Sequence, residues 1–136
     1  MENCIFCKIA NGEIPAATLY EDENFRVILD LGPASKGHAL ILPKSHAANI
    51  YEMPDELAGK AMILAKKMAG ALTKALNCDG FNIVQNNGEC AGQTVFHFHM
   101  HIIPRYKGDT VNIGWTPGKA DADEINELKE KIAAGL

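Results

Sequence analysis

Short apolar runs alternate with polar turns through much of this chain. The runs at 25–30 and 38–43 are rich in leucine, isoleucine and valine, and the segment 31–37 between them contains two glycines and a proline. Apolar β-branched runs favour strands, and glycine and proline favour turns, so this pattern predicts a pair of strands. A further apolar run at 81–85 follows the polar segment 77–80 and predicts another strand.

One long segment has a helical period. Pro54 is followed by two acidic residues, a pattern typical of a helix start. The apolar residues that then recur every three or four positions are Leu57, Ala61, Leu64, Ala65, Met68, Leu72 and Leu76. This spacing predicts a helix over 54–76 with one buried face, and a shorter terminal helix is predicted over 123–134.

Histidine and apolar residues alternate strictly over 97–102. Because successive side chains of a strand point to opposite faces, an extended segment would place His97, His99 and His101 on one face at intervals of roughly 6 to 7 Å. The opposite face would carry the apolar residues Phe98, Met100 and Ile102. A helix would scatter the same imidazoles, so the pattern predicts a strand with a chemically active face.

The predicted elements mix strands and helices without regular strand-helix-strand alternation, which favours an α+β fold with an antiparallel sheet. A chain of 136 residues, 47% hydrophobic and 22% charged, suits one compact domain. It has no apolar run near the roughly 20 residues that span a bilayer, and its N-terminus lacks the pattern of a secretory signal. We therefore expect a cytoplasmic protein without membrane contact. A net charge of −4 disfavours long nucleic acids as partners.

The three alternating histidines are consistent with three interpretations. In the first interpretation they are solvated residues on a surface strand, and in the second they are three ligands of a catalytic metal. In the third they are the catalytic residues of a phosphoryl transfer. Imidazole titrates near neutral pH, and it serves as an acid, a base, a nucleophile or a ligand. The residues that flank the histidines favour phosphoryl transfer.

The segment from Gly92 to Ile103, Gly-Gln-Thr-Val-Phe-His-Phe-His-Met-His-Ile-Ile, resembles the signature of the histidine-triad (HIT) nucleotide-binding proteins, in which histidines alternate with apolar residues. Further segments stand in the order that this family would have them. They are Phe6-Cys7-Lys8-Ile9, Gly12-Glu13-Ile14-Pro15, Tyr20-Glu21-Asp22, Leu29-Asp30 and Gly37-His38-Ala39-Leu40-Ile41-Leu42-Pro43-Lys44. The resemblance covers residues 4–106 and fades over 107–136.

The resemblance implies a single HIT domain over 1–136. Its fold would be an antiparallel sheet of about five strands with one long helix and a short C-terminal helix. Similar proteins pair this helix and its adjacent strand across a two-fold axis, so we expect a homodimer with a continuous sheet. The many small residues of the predicted helix 54–76 permit the close approach that such pairing needs.

The resemblance also implies catalytic roles. His99 matches the nucleophile that attacks the α-phosphorus of a nucleotide and forms a nucleotidyl-histidine intermediate. Such attack requires a neutral ring with one free lone pair, and a nearby backbone carbonyl would fix that tautomer. His101 matches the histidine that donates to the non-bridging phosphate oxygens, and Thr94 matches a hydroxyl that contacts the leaving group. His97 completes the triad. For Thr94 an ordinary loop threonine remains an alternative.

The resemblance implies that five residues bind the substrate. Asp30 matches the acid that accepts from the ribose hydroxyls, and Leu31 follows it in the pocket. Asn86 matches an amide near the phosphate, and Gln93 follows a glycine whose loop would direct backbone N–H groups towards phosphate oxygens. His38 matches a histidine beside the triad. A turn-capping role for Asp30 and a buried structural role for His38 remain open as alternatives.

Cys4 and Cys7 form a Cys-x-x-Cys pair, which in a reducing compartment is more often metal-binding or redox-active than a disulfide. Many bacterial proteins similar to this chain complete such a pair with the residues matching His46 and His97. The resemblance therefore implies one structural zinc per chain with four protein ligands. Reduced cysteines packed under the sheet are the alternative, and a redox pair at the N-terminus fits less well.

Taken together, the resemblance implies a hydrolase of nucleoside phosphoramidates or related nucleoside 5′-phosphate conjugates, with a purine nucleotide or nucleotidyl conjugate as its partner. The segment 92–95, and Pro104-Arg105 after the histidine segment, resemble instead the family branch that cleaves dinucleoside polyphosphates. Asn86 resembles the phosphoramidase branch of the family. Two non-enzymatic alternatives remain, a nucleotide-binding sensor module and a zinc-stabilised scaffold for protein partners.

Overall fold

The computed structural model describes residues 3–136. Met1 and Glu2, the first residues of the N-terminal stretch considered above, lie outside the described residues. The three α-helices are α1 (Ile5–Ala10), α2 (Asp55–Leu76) and α3 (Ala122–Ala133). The five strands are β1 (Thr18–Glu21), β2 (Phe25–Leu29), β3 (Ala39–Pro43), β4 (Gly80–Val84) and β5 (Met100–Arg105).

The strands form one five-stranded sheet in the order β1-β2-β3-β5-β4, and every neighbouring pair is antiparallel. This confirms the predicted α+β class with an antiparallel sheet. β3 and β5 lie in the middle of the sheet, whereas β1 and β4 form its edges. His101 pairs directly with Leu40 of β3 and with Val84 of β4. The histidine segment therefore enters the centre of the fold.

Helix α2 covers one face of the sheet with the side chains that the helical period predicts. Ala61, Leu64, Ala65, Met68 and Leu72 are buried, together with Ala69. The sheet residues in the same core include Val27, Ile41, Phe98, Met100 and Ile102. Because these apolar side chains leave water together, they supply most of the driving force for the fold. The helix stops at Asn77, which adopts the left-handed conformation with φ of 52°.

The opposite face of the sheet carries a smaller core under helix α1. Ala10, Ile28, Leu40 and Leu42 are buried there, and Phe6 and Ile9 pack against them. Since His101 and Leu40 are directly paired, their side chains share this face of the sheet. The predicted division into an apolar face and a histidine face is confirmed.

Three features differ from the sequence prediction. Helix α1 and strand β1 were not predicted, and β5 begins only at Met100, so that His97 and His99 lie in the irregular segment before it. The reason is that this segment bonds outside the sheet, because the Phe98 N–H donates to the carbonyl of Ala47 at 2.6 Å. Within residues 3–136, no helix has the length and apolar character to cross a membrane.

Candidate active site and metal cluster

The segment 97–99 is held before β5 by hydrogen bonds to the end of β3 and to the chain just after it. Besides the Phe98 bond, Nε2 of His97 lies 2.9 Å from the carbonyl oxygen of Pro43. His97 is completely buried and His99 is 7% exposed. A carbonyl can only accept, so Nε2 of His97 carries the proton and its Nδ1 has a free lone pair.

His99 has the complementary tautomer. Its Nδ1 lies 2.7 Å from the carbonyl oxygen of His97 and therefore donates to it, which leaves the lone pair on Nε2. The Phe6 ring meets the imidazole edge to face, with the ring centroids 4.9 Å apart. Burial lowers the pKa of His99, whereas its bond to the His97 carbonyl opposes that shift. The ring is therefore neutral at pH 7 with a nucleophilic nitrogen.

His38 and His101 form a directed pair. The backbone N–H of Ala34 donates to Nδ1 of His38 at 2.9 Å, so a neutral His38 carries its proton on Nε2. That Nε2 lies 2.9 Å from Nδ1 of His101 and donates to it. His101 must then hold its own proton on Nε2. It presents an N–H donor, which is the form that an accumulating negative charge on phosphate needs.

The histidines also influence one another electrostatically. Burial lowers the pKa of His101 to about 4, and the neighbouring His99 and His38 add to this shift, while Asp30 opposes it. Burial likewise lowers the pKa of His38, again against the effect of Asp30. The imidazole rings of His38, His99 and His101 are consequently uncharged at neutral pH, because burial disfavours their imidazolium forms.

Asp30 lies where β2 ends. Its Oδ1 accepts from the Gly32 N–H at 2.8 Å, which caps the turn after the strand, and its Oδ2 lies 3.7 Å from Nε2 of His38. The turn-capping alternative is therefore realised, and the side chain still borders a cavity. Leu31, which follows it, is 96% exposed.

A cavity of about 440 Å³ lies between α1, the β2 end and the histidines. Five of the predicted site residues line it, namely Asp30, Leu31, Thr94, His99 and His101. The rest of its wall is largely apolar and includes Ile5, Phe6, Ile9, Ile14, Ile28, Leu29 and Val95. An apolar cavity with a few polar groups at one end is typical of a small-molecule site.

Gln93 and Asn86 lie beside this cavity rather than in its wall. The Gln93 amide accepts from the Gly88 N–H and donates to the carbonyls of Ala48 and Val95, so it holds its own loop. The backbone N–H groups of Gly92 and Gln93 also donate within the loop. The prediction that these two N–H groups point to phosphate is therefore wrong. Asn86 packs against Gly92.

Cys4, Cys7, His46 and His97 form a second cluster, whose potential ligand atoms all lie within 4.8 Å of one another. Nδ1 of His97 is 3.3 Å from Sγ of Cys4 and 3.4 Å from Sγ of Cys7, and Nδ1 of His46 is 3.3 Å from Sγ of Cys7. All four cysteines of the chain are free thiols. The sequence placed these four ligands together only through the resemblance, and the fold brings them into contact.

This donor set fits a tetrahedral zinc ion. Ideal zinc–sulfur and zinc–nitrogen bonds would separate a thiolate sulfur and an imidazole nitrogen by about 3.5 Å. The observed separations are close to that value, and the His97 lone pair faces the sulfurs because Pro43 takes the proton on the other nitrogen. Zinc bound there would tie the start of α1 to the segment 97–99.

The alternative of one metal held by all three triad histidines does not fit the structure. Among the described residues, His97 groups with the cysteines, whereas His101 groups with Asp30 and His38. The rings of His99 and His101 are 5.0 Å apart between centroids, with Phe6 against His99. The triad is divided between a potential metal cluster and the cavity.

Sequence reasoning missed the role of helix α1 in the cavity. Ile5, Phe6 and Ile9 all line it, and Phe6 contacts the His99 ring. The sequence signal for this role is the apolar character of Ile5, Phe6 and Ile9 around the Cys-x-x-Cys pair.

Comparison with known proteins agrees with this geometry. The HIT domain profile matches residues 11–108. "Protein hit" of Bacillus subtilis (strain 168) is 50% identical over 138 residues, with 99% of this chain and 95% of the relative covered. Adenosine 5′-monophosphoramidase HNT1 of Saccharomyces cerevisiae is 41% identical over 134 residues, with 98% of this chain and 82% of the relative covered.

A solved structure shows that the similarity extends to the fold. The crystal structure of a zinc-bound histidine triad family protein from Mycobacterium smegmatis superposes with a TM-score of 0.78 at 38% identity, and the match covers 99% of this chain and 96% of that one. The profile match includes all three triad histidines and most of the cavity. The chain therefore belongs to the histidine-triad (HIT) family.

Proposed function

We propose that this protein hydrolyses nucleoside 5′-phosphoramidates or related nucleoside 5′-phosphate conjugates, with a purine base, through a nucleotidyl intermediate on His99. The observation that carries the proposal is the bond from Nδ1 of His99 to the His97 carbonyl, which leaves Nε2 unprotonated in a ring that lines the cavity. The similarity to a relative named adenosine 5′-monophosphoramidase supports the same chemistry.

The remaining cavity residues have distinct roles in this proposal. The apolar wall formed by α1 and β2 holds the base, and Asp30 and Leu31 lie at the ribose. The protonated Nε2 of His101 donates to a non-bridging phosphate oxygen, and His38 fixes that tautomer. Thr94 lies at the leaving group. We assign Asn86 and Gln93 to the loop that shapes the phosphate end.

The reaction proceeds in two displacements at phosphorus. Nε2 of His99 forms a bond to the α-phosphorus while the P–N bond breaks, and the departing nitrogen keeps the electron pair and takes a proton to leave as a free amine. Water then attacks phosphorus while the bond from phosphorus to Nε2 of His99 breaks and its electron pair returns to the ring, so that the nucleoside monophosphate leaves and a proton passes to solution. The proton gained by the amine balances the proton lost by water.

We further propose that zinc occupies the cluster of Cys4, Cys7, His46 and His97. Because four protein ligands complete a tetrahedral shell, the metal has a structural role and no open position for substrate. The zinc-bound relative from Mycobacterium smegmatis supports this assignment. His97 then serves the metal, and His99 and His101 are the working pair. We also propose that the protein acts as a homodimer in the cytoplasm.

Hydrolysis of dinucleoside polyphosphates remains the second candidate, because the segment 92–95 and Arg105 resemble that branch. The Arg105 guanidinium is already hydrogen-bonded within its own chain, because it donates to Asp109, Asn82 and the Val111 carbonyl. This engagement favours a structural role for Arg105 over binding of extra phosphates. A nucleotide sensor without turnover is disfavoured by the poised tautomer of His99.

Mass spectrometry of the intact protein tests the proposal. The zinc-loaded protein is mixed with an adenosine phosphoramidate, quenched rapidly without acid and weighed beside His99→Ala. We expect one adenylyl group on the wild type, none on the variant, and AMP as the product. Tight nucleotide binding without adduct or product in the wild type would contradict the hydrolase and support the sensor.

A further inference from the structure

The two cysteines of the metal cluster are close enough to react with each other. Cys4 and Cys7 lie one turn apart at the start of α1, and both Sγ atoms are within 3.4 Å of Nδ1 of His97. Since all potential ligand atoms of the cluster lie within 4.8 Å of one another, the two sulfurs need to approach by less than about 3 Å to reach the length of a disulfide bond. A local change in the first turn of α1 is therefore sufficient.

One of the two sulfurs is open to small solutes. A cavity of about 750 Å³ borders the cluster, and its wall includes Asn3, Cys4 and His46. Cys4 is partly exposed and His46 is exposed, whereas Cys7 and His97 are buried. Access from solvent is one of the factors that decide which thiol is oxidised first. A small oxidant in this cavity would therefore meet Cys4 before Cys7.

Helix α1 connects the cysteine pair to the nucleotide cavity. Cys4 caps the helix, because its Sγ accepts from the Cys7 N–H at 3.3 Å. Ile5 and Phe6, which stand between the two cysteines, both line the cavity of about 440 Å³, and the Phe6 ring contacts the His99 ring. A new covalent bond between Cys4 and Cys7 would change the helical turn that carries these cavity residues.

His97 makes a second connection between the cluster and the cavity. Its Nδ1 faces the sulfurs, while its backbone carbonyl accepts from Nδ1 of His99 at 2.7 Å. Loss of the zinc proposed above would free the His97 side chain at one end of this connection. The state of the cysteines therefore acts on the nucleotide cavity through both α1 and the segment 97–99.

We infer that Cys4 and Cys7 are a modification site for peroxides, at which oxidation joins the two sulfurs, expels the proposed zinc and weakens nucleotide binding. This inference rests on the proposed zinc site and goes beyond its structural role. It does not depend on which leaving group the substrate carries. It also differs from catalytic disulfide exchange, because the pair reacts here as a set of metal ligands.

The oxidation takes place in two balanced steps with hydrogen peroxide as the oxidant. The Cys4 thiolate attacks one peroxide oxygen and the O–O bond breaks, which gives a sulfenic acid and a hydroxide that takes a proton to become water. The Cys7 thiolate then attacks Sγ of Cys4, and the S–O bond breaks to release a second hydroxide, which is also protonated. Two thiolates lose two electrons, peroxide gains them, and the metal leaves because both of its sulfur ligands are gone.

Titration of the zinc-loaded protein with hydrogen peroxide tests the inference. Cys78 and Cys90 lie outside the cluster, so the full-length parent protein carries Cys78→Ser and Cys90→Ser to leave only one reactive pair. A zinc indicator measures release, peptide mapping detects the loss of two hydrogen atoms between the two remaining cysteines, and calorimetry measures AMP affinity. We expect about one zinc and one disulfide per chain, with AMP affinity lowered about tenfold, as is typical of coupled sites. Thiol reductant with added zinc should reverse all three changes.

Cys4→Asp in the same background is the matched variant. A carboxylate is both a zinc ligand and a preferred helix cap, so this variant should keep the metal and α1 while leaving Cys7 without a partner. We expect it to retain zinc and AMP affinity at the peroxide dose that strips the parent. Cys4→His offers the second replacement ligand if Cys4→Asp does not bind zinc, and circular dichroism checks the fold of each variant.

The outcomes separate this inference from the proposed function. Zinc that stays bound in the oxidised parent, or a disulfide that leaves AMP affinity unchanged, would overturn the inference and leave the proposed zinc site intact. Equal zinc release from the parent and from the zinc-loaded Cys4 variant would overturn it as well, because no disulfide would then be needed. If the untreated parent binds no zinc, the zinc site and the inference fail together, whereas the hydrolase is still judged by the adduct on His99.

Discussion

At the scale of single residues, hydrogen bonds decide which nitrogen of each imidazole is free to react. The donor from Ala34 fixes His38, and His38 in turn fixes His101. The carbonyls of Pro43 and His97 fix His97 and His99 in opposite tautomers. The backbone therefore gives three identical side chains different free nitrogens, which the proposed function uses as a metal ligand, a nucleophile and a hydrogen-bond donor.

The His38–His101 bond predicts a graded effect of substitution. His38→Ala removes the donor to Nδ1 of His101, so this ring loses the tautomer that holds its proton on Nε2, and we expect kcat/KM to fall about tenfold or more. His38→Gln places an amide N–H near the same position and should recover part of the loss. Kinetics of both variants, with ¹⁵N NMR of the His101 ring, measures the effect. Equal activity of His38→Ala and wild type would contradict it.

The low pKa of His101 predicts a stability change in acid. The pKa of His101 is about 4 in the folded protein, whereas that of an unfolded histidine is about 6.5, so between these pH values the unfolded chain binds a proton that the folded chain does not bind. The free energy of unfolding is therefore not reduced by this group above pH 6.5, and it decreases as the pH falls from 6.5 towards 4. The slope approaches about 1.4 kcal/mol per pH unit for this one group.

Denaturant unfolding at several pH values measures that slope. The groups that surround His101 are His38, His99 and Asp30. Since His38 also has a lowered pKa, the wild type should show more than one proton of linkage. His101→Gln should have a shallower slope between pH 6.5 and 4 than the wild type. Identical slopes in the two proteins would show that His101 does not resist protonation in the folded state.

At the scale of elements, the sequence predicts those with a strong period and misses those without one. Helix α2 and the buried strands β2 and β3 match the prediction because their apolar residues face a core. Strand β1 was missed because three of its four residues are exposed, which leaves no apolar alternation to detect. Helix α1 was missed because its cap is Cys4, whose Sγ accepts from the Cys7 N–H at 3.3 Å.

The candidate site was predictable to the extent that local motifs carry it. Thr94, His99 and His101 belong to one segment, and Asp30 ends a recognisable strand, so a motif located all of them. The loop bonds of Gln93 depend on Ala48, which is far away in sequence, and no local pattern reveals them. The same holds for the contact between Phe6 and His99, which depends on the fold.

Helix α1 connects the cluster proposed to hold zinc to the cavity, so the proposed zinc site predicts the result of metal removal. Cys4 and Cys7 belong to the cluster, while Ile5, Phe6 and Ile9 line the cavity. Removing the metal with a chelator should lower Tm by about 10 °C and weaken nucleotide binding, because a six-residue helix has little stability of its own. Calorimetry and hydrogen exchange over residues 5–10 measure these effects.

Zinc addition should restore both properties of the chelated protein. Cys90→Ser provides the matched control, since Cys90 is an exposed thiol outside the cluster and its loss should change neither Tm nor exchange. If the chelated protein kept its Tm and its nucleotide affinity, the cluster would have no structural function.

The turn between β2 and β3 depends on one glycine. Gly37 has φ of +89°, and a Cβ added there would clash with Cδ1 of Leu76. We expect Gly37→Ala to reduce the free energy of unfolding by about 2 kcal/mol, through backbone strain and overpacking against the end of α2. Chemical denaturation measures the change.

Gly70 provides a matched control within α2. A Cβ added there meets nothing within 4 Å, and the residue lies in an exposed position of the helix. Gly70→Ala should therefore stabilise the protein by about 0.5–1 kcal/mol, because alanine loses less backbone entropy in a helix than glycine does. The same sign of change in both variants would contradict the assignment of strain to Gly37.

At the scale of the whole molecule, the sheet has two edges, and we expect only one of them to pair with a second copy of the chain. An exposed edge strand presents unpaired backbone groups that readily pair with another chain. β1 and β4 are the two edges, and each carries one large exposed apolar residue, Leu19 at 43% and Phe81 at 44%. β4 directly follows α2, so pairing of this strand and helix across a two-fold axis would extend the sheet, as the resemblance implies.

The matched exposure of these two residues gives a direct test of the proposed dimer. Light scattering should give twice the monomer mass for the wild type at micromolar concentration. Phe81→Glu places a charge on the β4 edge and should yield monomers, whereas Leu19→Glu places the same charge on the β1 edge and should leave the dimer intact. Dissociation by Leu19→Glu alone would move the interface to β1, and a wild type of monomer mass would remove the dimer from the proposed function.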